Sequence, residues 1–539
     1  MGGVSKSRVR CARVGIAVCS HLVFLTMVVL GLVILFWYRY GTPPATVPLS
    51  PAPGVFADLR ADNLSDAASY IWVQASDIHV RGPTAPSTQA FREFCSDVLP
   101  HLDPAFVLIP PPSRVSVLTF SFTHTHNRYV IVTGDIHDGN DNGRATQIRV
   151  CTHTQIIPIC KHCPLHTLHM NTHTWQSQWA LYDEIRRGCG VNTTWVEVLG
   201  NHDVHRATPA DMANQVAFTA SGPAVAQRVR VVELHSPRVP AGAVPGDKLV
   251  LLNTNADEEP VMNFYAATNS SFARAVRTEL RRLAAEGRPA VTVGHHPLAM
   301  MAQSYMARPF LREVRHGDGG DGGGSTVPYD MHVSGHVHGV RKHRHNSGVL
   351  DVAATTLQAR AYRVWACDNH LLSFRDVTFD EWPVAFVTYP KPARLLMAGE
   401  PNHLMRGARE LRAVVVARSN VTRVQAAVDG TTVCASMAPV AGTPFYRCAW
   451  DSAPYAAGVH TVVLHVTDAE GTSTWSDTFS LDGTIGAPFR DLLIGRDVCG
   501  SHPHTRVHAV ASLVVLIPLL LFFFRRTAWD ADDGRDTVL

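Results

Sequence analysis

Five short clusters of Asp, Asn and His carry the chemistry of this sequence. They are Asp77-Ile78-His79, Gly134-Asp135-Ile136-His137-Asp138, Gly200-Asn201-His202-Asp203, Gly294-His295-His296-Pro297 and Gly335-His336-Val337-His338. Carboxylate, amide and imidazole groups without a cysteine make a hard, mixed oxygen and nitrogen donor set. Such a set takes Mn, Fe or Zn rather than a thiolate-bound zinc. Seven ligand groups that share one carboxylate suit two ions. A pair of ions roughly 3.5–4 Å apart can hold a hydroxide for in-line attack at phosphorus and clamp the phosphoryl oxygens. No Arg or Lys stands out as a phosphate clamp.

The elements needed to bring these residues together are legible. Each cluster follows a short apolar run: Tyr70–Ser76, Tyr129–Thr133, Trp195–Leu199, Ala290–Val293 and Met331–Ser334. Strands of one sheet ending at one edge bring distant residues to a common point. Between the runs lie helical stretches such as Phe272–Glu286, and this alternation predicts an α/β sandwich.

In this order, D-x-H, G-D-x-x-D, G-N-H-D, G-H and G-H-x-H resemble the calcineurin-like metallophosphoesterases. Two further segments resemble the transmembrane protein 62 family: Phe94–Leu108, and Tyr362–Asp376 running on to Glu381-Trp382-Pro383-Val384. The likeness covers roughly residues 70 to 485, apart from two inserts. It implies a phosphoesterase β-sandwich flanked by helices, then an Ig-like domain, then membrane helices. It also implies roles. Asp77, His79 and His338 would bind the first metal, Asp135 would bridge both, and Asn201, His295 and His336 would bind the second. His202 would protonate the leaving oxygen, with Asp203 orienting it and raising its basicity. Asp138 is a motif residue of less definite role, and His296 competes with His295 for the Gly-His position. A phosphate ester is the implied substrate.

The chain has 539 residues, 46% of them apolar and 17% charged, which calls for several folded units and hints at membrane-buried sequence. A net charge of +3 gives no bulk-charge reason to predict nucleic-acid binding. The expected division is a cytosolic N-terminus over 1–13, a transmembrane signal anchor over 14–38 and a Pro-rich stalk over 39–69. The metallophosphoesterase domain spans 70–391 and the Ig-like β-sandwich 392–485. A linker over 486–506, a transmembrane helix over 507–524 and a cytosolic tail over 525–539 complete it. The first apolar stretch exceeds a signal-peptide core of roughly 7–15 residues, which favours an anchor over a cleaved leader. A buried core helix is the alternative for the second. Lys6, Arg8, Arg10 and Arg13 before the first span, and Arg525-Arg526 after the second, place both ends in the cytosol and the middle in a lumenal or exoplasmic space. Sequons at Asn63, Asn192, Asn269 and Asn420 agree weakly. The resembled family continues through further helices where this chain ends.

From Leu411 onward short strand-like runs alternate with turn signals such as Asp429-Gly430, the pattern behind the Ig-like expectation. Cys434 and Cys448 lie in neighbouring runs and either pair or stay as buried thiols. The inserts, Pro110 to about Ile131 and Ile148 to about Trp175, are rich in Thr and His. Three readings of them stand: a zinc site on Cys160 and Cys163 with His166, His169 and His173, a mobile surface loop, or translated repetitive or intronic DNA. Gly317–Gly324 lacks the G-K-[ST] signature and reads as a flexible loop. Two functions compete. One is a membrane-anchored phosphoesterase. The other is a non-catalytic membrane adaptor of the same fold, with its Ig-like domain available to a protein partner.

Overall fold

A computed structural model of the chain describes residues 46–47, 59–61, 64–102, 128–136, 172–189, 193–204, 209–236, 246–255, 266–267, 270–302, 310–316, 327–345 and 347–486. The expected membrane spans, Asp138, most of both inserts and the sequons at Asn63, Asn192 and Asn269 lie outside these residues. Among the described residues no helix is long and apolar enough to cross a membrane.

The first unit is built on two mixed sheets. One has the order β13 (Leu371–Thr378), β12 (Ala361–Asp368), β1 (Ser69–Ala75), β2 (Arg128–Thr133) and β3 (Thr193–Val198). The other runs β10 (Arg341–Arg344), β11 (Leu350–Ala353), β9 (Met331–Ser334), β7 (Val291–Gly294), β5 (Asp247–Leu252) and β4 (Val229–Leu234). Strands β1, β2 and β3 are mutually parallel, as are β5, β7, β9 and β11. Parallel strands are covered on both faces, which explains their near-continuous apolar runs. A short parallel pair, β6 (Ala266–Ala267) with β8 (Met301–Ala302), stands apart.

Apolar side chains from both sheets meet in one core layer, where Trp72, Ile131, Val293, Val333 and Val352 pack and Trp72 stacks on Trp365 at 4.7 Å. The outer face of the first sheet packs on the helices Pro86–Glu93 and Thr172–Gly188. That of the second packs on Ser270–Ala285 and Phe310–His316. Helix Ser270–Ala285 buries Phe272, Ala273, Val276, Leu280 and Leu283, an apolar stripe at helical spacing. It stops where Gly287 takes φ 69°, as helix ends commonly do. The disulfide Cys95–Cys189 ties the segment after the first helix to the end of the second, across 94 residues of chain.

An all-β region follows. One sheet has the order β14 (Val384–Tyr389), β15 (Glu410–Val416), β19 (Phe445–Ala449) and β18 (Ala438–Pro439). The other runs β17 (Thr431–Cys434), β16 (Arg423–Val428), β20 (Val459–Thr467) and β21 (Thr472–Ser480). Side chains along β20 alternate between buried and more exposed, the period of a strand with one face on a core. Asp429 and Gly430 both take positive φ at the β16–β17 hairpin, as a two-residue turn there requires. Cys434 and Cys448 are joined as a disulfide. Strand β14 lies before residue 392 yet pairs with β15, so the all-β region takes in chain N-terminal to the expected boundary.

Candidate metal centre

Strands β1, β2, β3, β7 and β9 all run into their clusters at the same edge of the sandwich. The turns there share an unusual backbone. Asp77, His79, Asp135, His336 and His338 take φ of 49°, 53°, 48°, 69° and 53°. A non-glycine residue in this left-handed region costs of order 1–3 kcal/mol and persists only where its surroundings enforce it. Here the enforcement is visible. The Asp77 and His79 amides donate to the Gly134 and Asp135 carbonyls at 3.1 and 2.9 Å. The Thr356 hydroxyl donates to the Asp77 carbonyl at 2.7 Å, and Ser87 to that of His79 at 2.6 Å.

Two motif glycines make the approach possible. A Cβ on Gly200 would overlap both the carboxylate and the backbone nitrogen of Asp135. One on Gly335 would overlap the Ser76 hydroxyl and lie 2.6 Å from the Asp77 carboxylate.

The seven expected ligand residues converge. Candidate ligand atoms of Asp77, His79, Asp135 and His338 lie within 4.8 Å of one another, as do those of His295, His296 and His336. His79 Nε2 is 3.1 Å from His338 Nε2, and His338 Nε2 is 3.3 Å from Asp77 Oδ1. Asp135 Oδ2 stands between the groups, 3.3 Å from His295 Nε2 and 3.9 Å from His79 Nε2. Asn201 Oδ1 is 2.9 Å from His295 Nε2, and His336 Nδ1 is 3.0 Å from the same nitrogen.

His295 shows that this donor set fits cations. Its Nδ1 is 2.8 Å from the Thr133 carbonyl oxygen, which can only accept, so Nδ1 carries a proton. In the neutral ring Nε2 then holds a lone pair, and it faces Asn201 Oδ1, Asp135 Oδ2 and His336 Nδ1. A single added proton satisfies one of these contacts, whereas a cation is attracted to all. A metal-bound histidine commonly donates its other N–H to a backbone carbonyl in this way.

The electrostatics match. Burial opposes charge on Asp135, but His295 foremost, then His202 and His79, hold its carboxyl well below the usual range. Asp77 is lowered against burial by His338 and then His295. Burial pulls the His295 imidazole down, yet Asp135 prevails and pushes it up to about 9.

The remaining expected residues lie beside these donors, His202 half-buried and Asp203 and His296 buried. The His202 ring lies edge-on to His79, centroids 5.1 Å apart, and its backbone amide donates to Asp135 Oδ1 at 3.0 Å. Asp203 is fully buried. Its carboxylate accepts the amides of Gly200 at 2.7 Å and Ile136 at 3.0 and 3.2 Å, which fastens the β3 turn to the β2 turn. His296, ambiguous in sequence, is placed against the His295 and His336 rings, with its Nδ1 2.7 Å from Thr254 Oγ1. Ser76, Ser87, Thr254 and Thr356 support the site without having been singled out. Small hydroxyl residues carry no local pattern that could mark them.

No family model matches the chain. Transmembrane protein 62 of Mus musculus is 24% identical over 459 residues, covering 81% of this chain and 58% of that protein. The chain is therefore similar to that protein while spanning less than two thirds of its length. Among solved structures, a dimetal phosphatase from Danio rerio aligns over 58% of this chain and 99% of its own at 10% identity and a TM-score of 0.31. An endo-beta-1,4-mannanase from Thermotoga petrophila aligns over 78% of this chain and 99% of its own at 8% identity and a TM-score of 0.18. Superpositions this loose carry no weight for fold or site.

Proposed function

We propose that the chain is a membrane-anchored, metal-dependent phosphoesterase acting on a phosphate ester in a lumenal or exoplasmic space. The observation that carries this reading is the left-handed backbone of five clustered donors, whose side chains leave His295 Nε2 facing oxygens and a second imidazole nitrogen. Asp77, His79 and His338 would hold one ion and Asn201, His295 and His336 the other, with Asp135 available to both, and the donors suit Mn, Fe or Zn. When bound, such a pair supplies Lewis acidity toward phosphoryl oxygens and lowers the pKa of water.

The protein's own groups do the rest. Thr133 fixes the His295 ring through Nδ1. Asp203 fixes the turn that carries Asn201 and His202. His202, half-buried beside His79, donates a proton to the departing oxygen. Two disulfides, Cys95–Cys189 and Cys434–Cys448, support an oxidising compartment. The all-β region is read as Ig-like, a surface for a protein partner beside the catalytic unit.

His202→Ala tests the reading. Loss of a general acid costs about a hundred- to ten-thousand-fold in rate. That loss is expected for esters with poor leaving groups, is smaller for an activated nitrophenyl ester, and comes with wild-type metal content. Equal rates for mutant and wild type on both kinds of ester would remove the acid role. A wild-type chain that holds both ions and cleaves no mono- or diester would hand the lead to the adaptor reading.

A further inference from the structure

A second cluster of metal-ligating side chains lies at the opposite end of the sandwich. Tyr70 pairs with Cys367 near the start of β1, whereas Asp77 follows the end of that strand, about 20 Å away at 3.3 Å per residue. Around Cys367 gather Asp247, the first residue of β5, and His370, in the turn between β12 and β13. Candidate ligand atoms of Asp247, Cys367 and His370 lie within 4.8 Å of one another, and all three residues are buried. Cys367 Sγ is 2.8 Å from Asp247 Oδ2, and His370 Nδ1 is 2.9 Å from Asp247 Oδ1. The Tyr70 hydroxyl donates to Asp247 Oδ2 at 2.7 Å and orients the carboxylate.

We propose that Asp247, Cys367 and His370 bind a zinc ion, separate from the dinuclear pair, that cross-links the two sheets. Three features point there. The set offers a thiol, an imidazole and a carboxylate, three of the donor types that zinc takes, and the sulfur separates it chemically from the first centre. Cys367 and His370 stand in C-x2-H spacing across a hairpin turn, a short ligand spacing of the kind zinc sites use. Asn369 and His370 take φ of 51° and 67°, so a side chain stands where a turn of this kind prefers glycine.

Charge balances as well. Thiolate and carboxylate neutralise one dication inside a buried site, and binding releases the thiol proton together with any proton on His370 Nδ1. Tyr70 then acts on the ligand rather than on the metal.

Cobalt substitution of the full chain tests this. Only a cysteine-ligated ion gives an intense near-ultraviolet sulfur-to-cobalt charge-transfer band, and the dinuclear donors include no sulfur. The wild type is expected to show the band and to hold one metal ion more than Cys367→Ser, whose band is weaker by one cobalt–thiolate site. His370→Gly is the folding control: it relieves the positive φ, so it is expected to fold while losing the same ion and the same share of the band. Band intensity and metal content that are equal in the wild type and both variants, or a wild type without the band, overturn the proposal. Failure of the dinuclear reading alone would look different, with the band present and the sulfur-independent ions missing.

Discussion

Gly200→Ala is the sharpest test of how the centre is assembled, because it adds one methyl group and changes no ligand. The new Cβ would lie 2.8 Å from Asp135 Cγ and closer still to the Asp135 backbone nitrogen. A side chain can rotate away, but a backbone nitrogen cannot, so the β2 and β3 turns must part. The same turns are held by the Gly200 amide on Asp203 at 2.7 Å and the His202 amide on Asp135 at 3.0 Å, and parting strains both. Overpacking of this kind costs about 1–3 kcal/mol. A displacement of roughly 1 Å between Asn201 and Asp135 is worth about a hundredfold in rate. The expected result is a lower melting temperature, reduced metal retention on dialysis and about a hundredfold loss in kcat/KM on a nitrophenyl ester. Gly82→Ala is the control, since a Cβ there meets nothing within 4 Å. Wild-type metal content and rate in Gly200→Ala would falsify the claim that close approach of these turns builds the site.

Two other perturbations follow from charge. In the metal-free protein His295 titrates near 9 against an ordinary 6.5. Its pairing with Asp135 therefore stabilises the fold fully below 6.5 and is lost as pH rises through about 9. A metal ion must displace that proton, so apparent metal affinity is expected to rise about tenfold per pH unit until about 9 and then level; titrations showing no such rise would rule out His295 as a ligand. Elsewhere, the buried Arg412 donates to Asp368 at 3.1 Å, Asp66 at 2.8 Å and Ser69 at 3.2 Å, which fastens β15 of the all-β region to the first unit. Arg412→Met removes this cation from the fully buried Asp368, whose carboxylate keeps hydrogen bonds from Ser69, Asn369 and Thr388, and is expected to cost about 3 kcal/mol in denaturant unfolding, with part recovered by adding Asp368→Asn.

What could be read from the sequence was whatever is written locally. An apolar run followed by Gly-Asp or Gly-Asn-His announces a strand and the turn that ends it, so the strands bearing all seven candidate ligand residues are placed to within a few residues. Helix Ser270–Ala285 was legible for the same reason, because its apolar stripe repeats at helical spacing. The β14 strand shows the limit. Val384–Tyr389 is an apolar run like any other, and nothing local says that it pairs with Glu410–Val416 rather than with the sheet before it.

The supporting structure of the centre depends on contacts far apart in sequence. A motif glycine looks like turn punctuation, yet Gly200 is required by Asp135, a residue 65 positions earlier that only the fold brings against it. The left-handed φ of Asp77 and His336 has only a weak residue-type signal: Asp and His are enriched in that region, yet most of them in turns do not adopt it. It arises because the turns after β1 and β9 bond one another through Asp77 and the His336 amide, at 3.1 and 3.0 Å. The Cys367 cluster was hidden by the same logic. Its C-x2-H pair sits inside a segment that reads as two apolar strands, and its third member, Asp247, lies 120 residues upstream. Candidate ligands that sit in a motif just after a strand can be seen in a sequence, even when they come from both sheets as Asp77 and His295 do. Asp247 opens a strand with no motif around it, and what sets it against Cys367 is the packing between the sheets, where Trp72, Trp365 and the strands opposite meet.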